Sequence, residues 1–256
     1  MAQLKDFTAD KLRVKVFDTR AEMGAQAARD AADCIRKLLR EKPEINMIFA
    51  AAPSQNETLS ALCREKDIDW SRVNAFHMDE YVGLPENAPQ RFGRYLREHI
   101  FSLLPFKSVH YIAYSAAEPE AECLRYSALL KDYPTDIVML GIGENGHIAF
   151  NDPGEADFDD PKAVKVVTLD EICRNQQVND GCFASLDLVP KQAITLTIPT
   201  LFGAGHLFCS VPAATKRSAV NFTVNGKISA QVPATVMRRH PDATLYVDTD
   251  SGKDLI

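Results

Sequence analysis

Nowhere in the chain do about 18 uncharged apolar residues run together, the length a helix needs to cross a bilayer, so a membrane-spanning protein is not expected. The N-terminal stretch MAQLKDFTADKLRVKVFD lacks the apolar core of a secretory signal, which points to a cytoplasmic protein. A basic excess is missing too. The net charge is -6, whereas nucleic-acid-binding domains gather Lys and Arg on one face, so no nucleic-acid partner is expected. The six cysteines, Cys34, Cys63, Cys123, Cys173, Cys182 and Cys209, contain no CxxC pair. That spacing indicates neither a zinc site nor a disulfide framework, and most of the six read as small buried hydrophobes. No internal repeat, low-complexity segment or linker interrupts the chain, so residues 1-256 are expected to form a single domain.

What the chain does contain is an alternation of strand and helix patterns. Ile45 to Ala51, Val73 to Phe76, Ile137 to Leu140, Ala163 to Leu169, Ala193 to Ile198, His206 to Val211 and Thr244 to Val247 read as strands, with Val109 to Ile112 a shorter one. Leu12 to Asp18 alternates apolar and charged residues, the pattern of a half-exposed edge strand. Helical spacing marks Ala21 to Glu41, Arg91 to Leu104, Glu118 to Lys131, a polar stretch from Leu169 to Asn179, and a segment opened by Thr215-Lys216 and running to Asn225. The expected fold is α/β, a doubly wound, mainly parallel sheet flanked by helices, Rossmann-like.

In such sheets ligands bind at the carboxyl ends of strands, and three of those ends carry polar groups. After Ile137-Leu140 come Gly141, Gly143 and Gly146, then His147 and Asp152, with Asn145 and Asn151 around them. Glycines let a ligand approach the main chain, but alone they are a weak signal, and a tight turn with a surface histidine fits equally well. After Val73-Phe76 come His77, Asp79 and Glu80. The two carboxylates could be solvated turn residues, and His77 reads better as a packed or hydrogen-bonded side chain than as a catalyst. After Ile45-Ala51, Ser54-Gln55-Asn56-Glu57 has the form of a capping box, which would start a helix where an anion is favoured. Lys216 at a helix start suits a phosphate. A carboxylate beside a substrate carbon can remove a proton α to a carbonyl while a histidine moves protons on ring oxygens, so the set suits aldose–ketose chemistry.

Asn74 to Pro85 (NAFHMDEYVGLP) and Gly141 to Gly154 (GIGENGHIAFNDPG) resemble the two signature segments of the glucosamine-6-phosphate deaminase/isomerase family. Val189-Pro190-Lys191-Gln192-Ala193 and Ala214-Thr215-Lys216 extend the likeness over nearly the whole chain. The resemblance implies a metal- and cofactor-free conversion of an amino sugar phosphate, glucosamine 6-phosphate, to fructose 6-phosphate and ammonia. By position, Asp79 would shuttle the proton between C2 and C1, and His147 would open the pyranose ring with help from Asn145 and Asp152. Lys216 and the Ser54-Gln55 turn would hold the phosphate, with Glu80, Gly143 and Gly146 also lining the substrate site. A homo-oligomer is possible.

The departures concern the same groups. Well-known members carry aspartate where this chain has Asn145, which can orient an imidazole but cannot offset its charge. Asp152 stands where glutamate is usual. The phosphate turn reads Ala52-Pro53-Ser54-Gln55-Asn56 rather than a glycine- and threonine-rich loop. The family's phosphate-binding arginine has no clean counterpart: Arg174 is the nearest, and Asp180 falls about where it would stand. A related lactonase or a non-catalytic sugar-phosphate sensor are the competing readings.

Overall fold

The structure, a computed structural model, describes residues 3–113 and 118–256. The chain opens with a hairpin, β1 (Gln3–Ala9) and β2 (Leu12–Phe17), then α1 (Arg20–Glu41). Thr19 caps that helix by accepting from the Glu22 amide, and Met23, Ala27, Ala31 and Ile35 recur at i,i+4 to form its fully buried stripe. Next come β3 (Ile45–Phe49), α2 (Asn56–Leu62), β4 (Val73–His77), β5 (Asp79–Tyr81), α3 (Phe92–Leu96), β6 (Ser108–His110) and α4 (Pro119–Asp132). The second half runs β7 (Ile137–Leu140), β8 (Val164–Thr168), α5 (Glu171–Asn179), β9 (Gln192–Leu196), α6 (Ile198–Phe202), β10 (His206–Val211), α7 (Arg217–Asn225) and β11 (Ala243–Asp248).

Eight strands form one sheet in the order β1-β2-β11-β10-β7-β3-β4-β6, parallel throughout except for the β1/β2 hairpin. From β3 the chain steps outward through β4 to β6, then returns to the centre and steps the other way from β7 through β10 to β11. The direction of winding therefore reverses between β3 and β7, the position at which such sheets open a crevice. β7 is buried on both faces, with every residue at 0–1% exposure. Its alternate side chains feed two separate apolar layers: Ile137 and Met139 join α1, while Val138 and Leu140 join the α4 and α7 side. Each such side chain contributes about 1.5–3 kcal/mol through burial.

Five expectations need correction. Leu12–Phe17 is not an edge strand: the polar β1, whose side chains show no clear alternation, lies outside it, and Val14 and Val16 are fully buried. Its apparent polar position Lys15 is buried as well and pairs with Asp30 at 2.5 Å. Nor do the strands expected at Ala163 to Leu169 and Ala193 to Ile198 join the parallel sheet. They form β8 and β9 of a separate antiparallel sheet, ordered β5-β9-β8. β5 belongs to it because the chain leaves the main sheet after His77 and, one residue later, pairs with β9. The helix expected from Arg91 to Leu104 is α-helical only over α3 and then widens to a π-turn over Arg97–Phe101. Finally, Ser54 does not cap a helix. It sits inside a 3-10 turn, Pro53–Gln55, with its Oγ accepting from the Gln55 side chain, while Glu57 pairs with Arg20 at 2.7 Å.

Candidate functional site

The loops after β3 and β7, the first residue of β5, one face of α5 and the turn before α7 enclose a cleft of about 590 Å³, its open mouth included. Asp79, His147, Lys216, Ser54, Gln55 and Gly143 all line it. Residues up to 162 positions apart in the chain, Ser54 and Lys216, are thus brought to one rim by the parallel strands.

Asp79 is 6% exposed, and its carboxyl has no hydrogen bond or ion pair with the described residues. Burial, reinforced by the neighbouring Glu80, pushes that carboxyl well above the usual carboxylate range. Adjacent residues of a strand point to opposite faces, and the two acids separate accordingly. Glu80 turns from the cleft and accepts the amides of Tyr81, Phe92 and Gly93 at 3.0, 3.2 and 3.0 Å, which caps the start of α3. Arg91 approaches it at 3.5 Å. Glu80 is therefore a structural acid rather than a lining residue. His77, fully buried between Tyr111 and Tyr126, has its imidazole pulled down to about 3 by burial, which makes it a neutral packing residue.

The β7 loop is built around His147. A Cβ on Gly143 would fall 2.2–2.3 Å from three atoms of the imidazole, so only glycine lets the ring lie on the backbone there. Gly143 N–H also donates to the His147 carbonyl at 2.9 Å. Gly146 has a different task, outside the cleft lining: it takes φ 85°, and a Cβ would meet Val232 at 2.5 Å. Asp152 Oδ1 lies 2.9 Å from His147 Nδ1 but out of line with the ring N–H, so the contact is close without being an aligned hydrogen bond. Burial pushes the Asp152 carboxyl up, yet His147 and the hydrogen bond from Asn145 outweigh it and hold it below the ordinary range.

Asn145 ties the loop together. Its amide group donates to Asp152 at 3.0 Å and to Asp170 at 3.2 Å, while its carbonyl accepts from the His147 amide at 3.0 Å. An aspartate there could accept but not donate, and would stand between two carboxylates, which explains the amide in this chain. Ala149 on the same loop (φ 51°) and Ala213 before the Lys216 turn (φ 83°) hold positive φ, a strain of about 1–3 kcal/mol each that clusters at functional loops.

Lys216 is 5% exposed and has no hydrogen bond or ion pair with the described residues. Burial lowers its ammonium, against the pull of Asp180 and Glu144. It is the only Lys or Arg lining the cleft among the described residues. Arg174 is not there: its guanidinium is spent on the carbonyls of Leu186 and Val189, fastening the loop behind α5. In place of an arginine, α5 presents Gln176 and Gln177 to the cleft, with Cys182 just beyond them. Neither glutamine was legible in sequence, since α5 reads as an ordinary polar helix. Gln55 is pinned by donating to the Ser210 carbonyl at 3.1 Å.

The model of the family "Glucosamine-6-phosphate isomerases/6-phosphogluconolactonase" matches residues 18–246. A glucosamine-6-phosphate deaminase of Listeria monocytogenes is 35% identical over 209 residues, covering 82% of this chain and 87% of its own length. Among solved structures, a monomeric glucosamine-6-phosphate deaminase superposes with a TM-score of 0.84 at 32% identity, over 94% of this chain and 98% of that one. A 6-phosphogluconolactonase from Thermotoga maritima reaches 0.75 at 19% identity, over 93% and 100%, a likeness of fold alone.

Proposed function

The chain belongs to the glucosamine-6-phosphate isomerase/6-phosphogluconolactonase family, and from that premise we propose that it is a glucosamine-6-phosphate deaminase. The observation that carries the reading is the meeting in one cleft of an imidazole with a buried carboxylate and a buried ammonium that have no partner among the described residues. Lys216 receives the substrate phosphate as a point charge, with the Ser54-Gln55 turn beside it. His147, oriented by Asp152 and Asn145, moves the proton that opens the pyranose ring. Asp79 then takes the C2 proton and returns it to C1, a transfer its raised affinity for protons favours. Proton removal gives an enolamine, its return to C1 leaves an imine at C2, and water adding at C2 gives a carbinolamine that expels ammonia and leaves the ketone of fructose 6-phosphate. Because both sheets contribute to the cleft, the chain works as one unit. Six unpaired cysteines support a reducing compartment such as the cytoplasm.

The test is ammonia release from glucosamine 6-phosphate, with the deuterium content of the product followed in heavy water. Ammonia together with solvent deuterium at C1 supports the reading. Hydrolysis of 6-phosphogluconolactone without ammonia would move the protein to the other branch of the family, and thermal stabilisation by sugar phosphates without turnover would make it a sensor.

A further inference from the structure

His147, Asp152 and Cys173 come together behind the wall of the cleft. One ligand-type atom of each, an imidazole nitrogen, a carboxylate oxygen and Sγ, lies within 4.8 Å of the other two. The trio joins the β7 loop to the first turn of α5, and Cys173 plays no part in the reaction proposed above. We propose that these three side chains form a site for a thiophilic divalent cation of the Zn²⁺ class, whose occupation silences the enzyme.

The donor set is a nitrogen, an oxygen and a sulfur, the mixture that zinc accepts in a tetrahedron with a fourth position open. Bonds of about 2.0–2.3 Å in that geometry put ligand atoms roughly 3.3–3.7 Å apart. The nitrogen and oxygen, now 2.9 Å apart, need to spread slightly, and Sγ needs to close by about 1.5 Å at most.

Among the described residues, one atom of each of two of these side chains has no aligned hydrogen bond. His147 Nδ1 and Asp152 Oδ2 are buried without a hydrogen bond, in residues 8% and 1% exposed. A buried polar atom left so carries a desolvation cost, which a cation would relieve at both atoms.

The surroundings favour positive charge. Asp152, Asp170 and Asp79 all lie within electrostatic reach of the Cys173 sulfur, and carboxylates attract a dication. Lys216 is the opposing charge within range. The supporting shell is in place: Asn145 bridges Asp152 and Asp170, and Asp170 accepts the Cys173 amide at 2.6 Å. Of the three side chains His147 lines the cleft, so the ion enters from the substrate side.

Binding exchanges the thiol proton for a sulfur–metal bond, releases that proton to solvent and changes no oxidation state. It also occupies the imidazole nitrogen next to Asp152, and His147 can no longer move protons. This last consequence rests on the deaminase reading; the binding itself does not.

The experiment titrates the chelator-treated, full-length protein with Cd²⁺, following the ultraviolet thiolate-to-metal charge-transfer band and the protons released. One equivalent with a single-thiolate band, displaced by Zn²⁺, is expected. The band is expected to vanish in Cys173→Ser and Cys173→Ala and to persist in Cys182→Ser, a cleft cysteine outside the trio. If ammonia release is confirmed, Zn²⁺ should inhibit the parent at least tenfold more tightly than Cys173→Ser. A band that survives loss of Cys173, or no band at one equivalent, overturns the site. A band without any deaminase activity upholds the site and overturns only the functional reading.

Discussion

Replacing Asp79 by asparagine should stop the reaction and stabilise the protein in the same stroke. The carboxyl is 6% exposed, has no partner among the described residues and sits beside Glu80. Its raised folded-state value fixes the sign. Such a group adds stability only while protonated, below the ordinary carboxylate range, and that contribution is lost as pH rises through the raised value. At neutral pH, above the ordinary carboxylate range, burying this acid weakens the fold in either protonation state, and the amide removes the penalty at equal volume. Relief of a strained functional group is typically worth about 0.5–2 kcal/mol. With about 2.1 cal/mol/K of unfolding entropy per residue over 256 residues, that corresponds to roughly 1–4 °C in Tm. Loss of the base should lower kcat about 10²–10⁴-fold, or roughly 3–5 kcal/mol of barrier. Thermal melts across pH and an ammonia-coupled assay read both quantities, and the gain in Tm should shrink on acidification. A Tm that falls at neutral pH, or a kcat within tenfold of the parent, would refute the argument that this carboxylate is buried for catalysis.

The neighbouring acid should behave in the opposite way. Glu80→Gln places an amide donor among the N–H groups of Tyr81, Phe92 and Gly93, and denaturant titration should show a loss of about 1–3 kcal/mol. Gly143→Ala drives a methyl group into the His147 ring, so kcat should drop about 100-fold while Tm changes far less than for Glu80→Gln. Lys216→Ala removes one charge-assisted contact worth about 1.5–3 kcal/mol. KM should rise about 10- to 150-fold for a phosphorylated sugar and little for its unphosphorylated analogue; equal changes for both would remove the lysine from phosphate binding.

Much of the site could be read before any coordinates, because its parts lie at strand ends that hydrophobic pattern alone marks. The β7 run, its glycine loop and Lys216 before α7 were visible in this way, and the parallel sheet brings them together. Errors arose where a local pattern had two physical outcomes. Ser54 to Glu57 spells a capping box, yet the chain enters a 3-10 turn and Glu57 finds Arg20 instead. Arg174 has the charge a phosphate needs, but carbonyls brought near by the loop after α5 claim it.

The order of apolar and polar residues was enough to determine a wound α/β sheet and the strand ends that carry chemistry, and two signature segments pointed to the family. Periodicity reports only whether a side chain faces core or solvent, which is why these features survive in one dimension. Tertiary structure alone decided which polar groups are consumed by the scaffold and which stay unsatisfied. Asp79 and Glu80 are adjacent acids of nearly equal chemistry, but β5 pairs with β9 rather than with the main sheet, and the pleat of that strand sends one to the cleft and the other to the N-terminus of α3. Partners contributed from 12 or 13 residues away, such as the amides of Phe92 and Gly93, cannot be read from the pair itself.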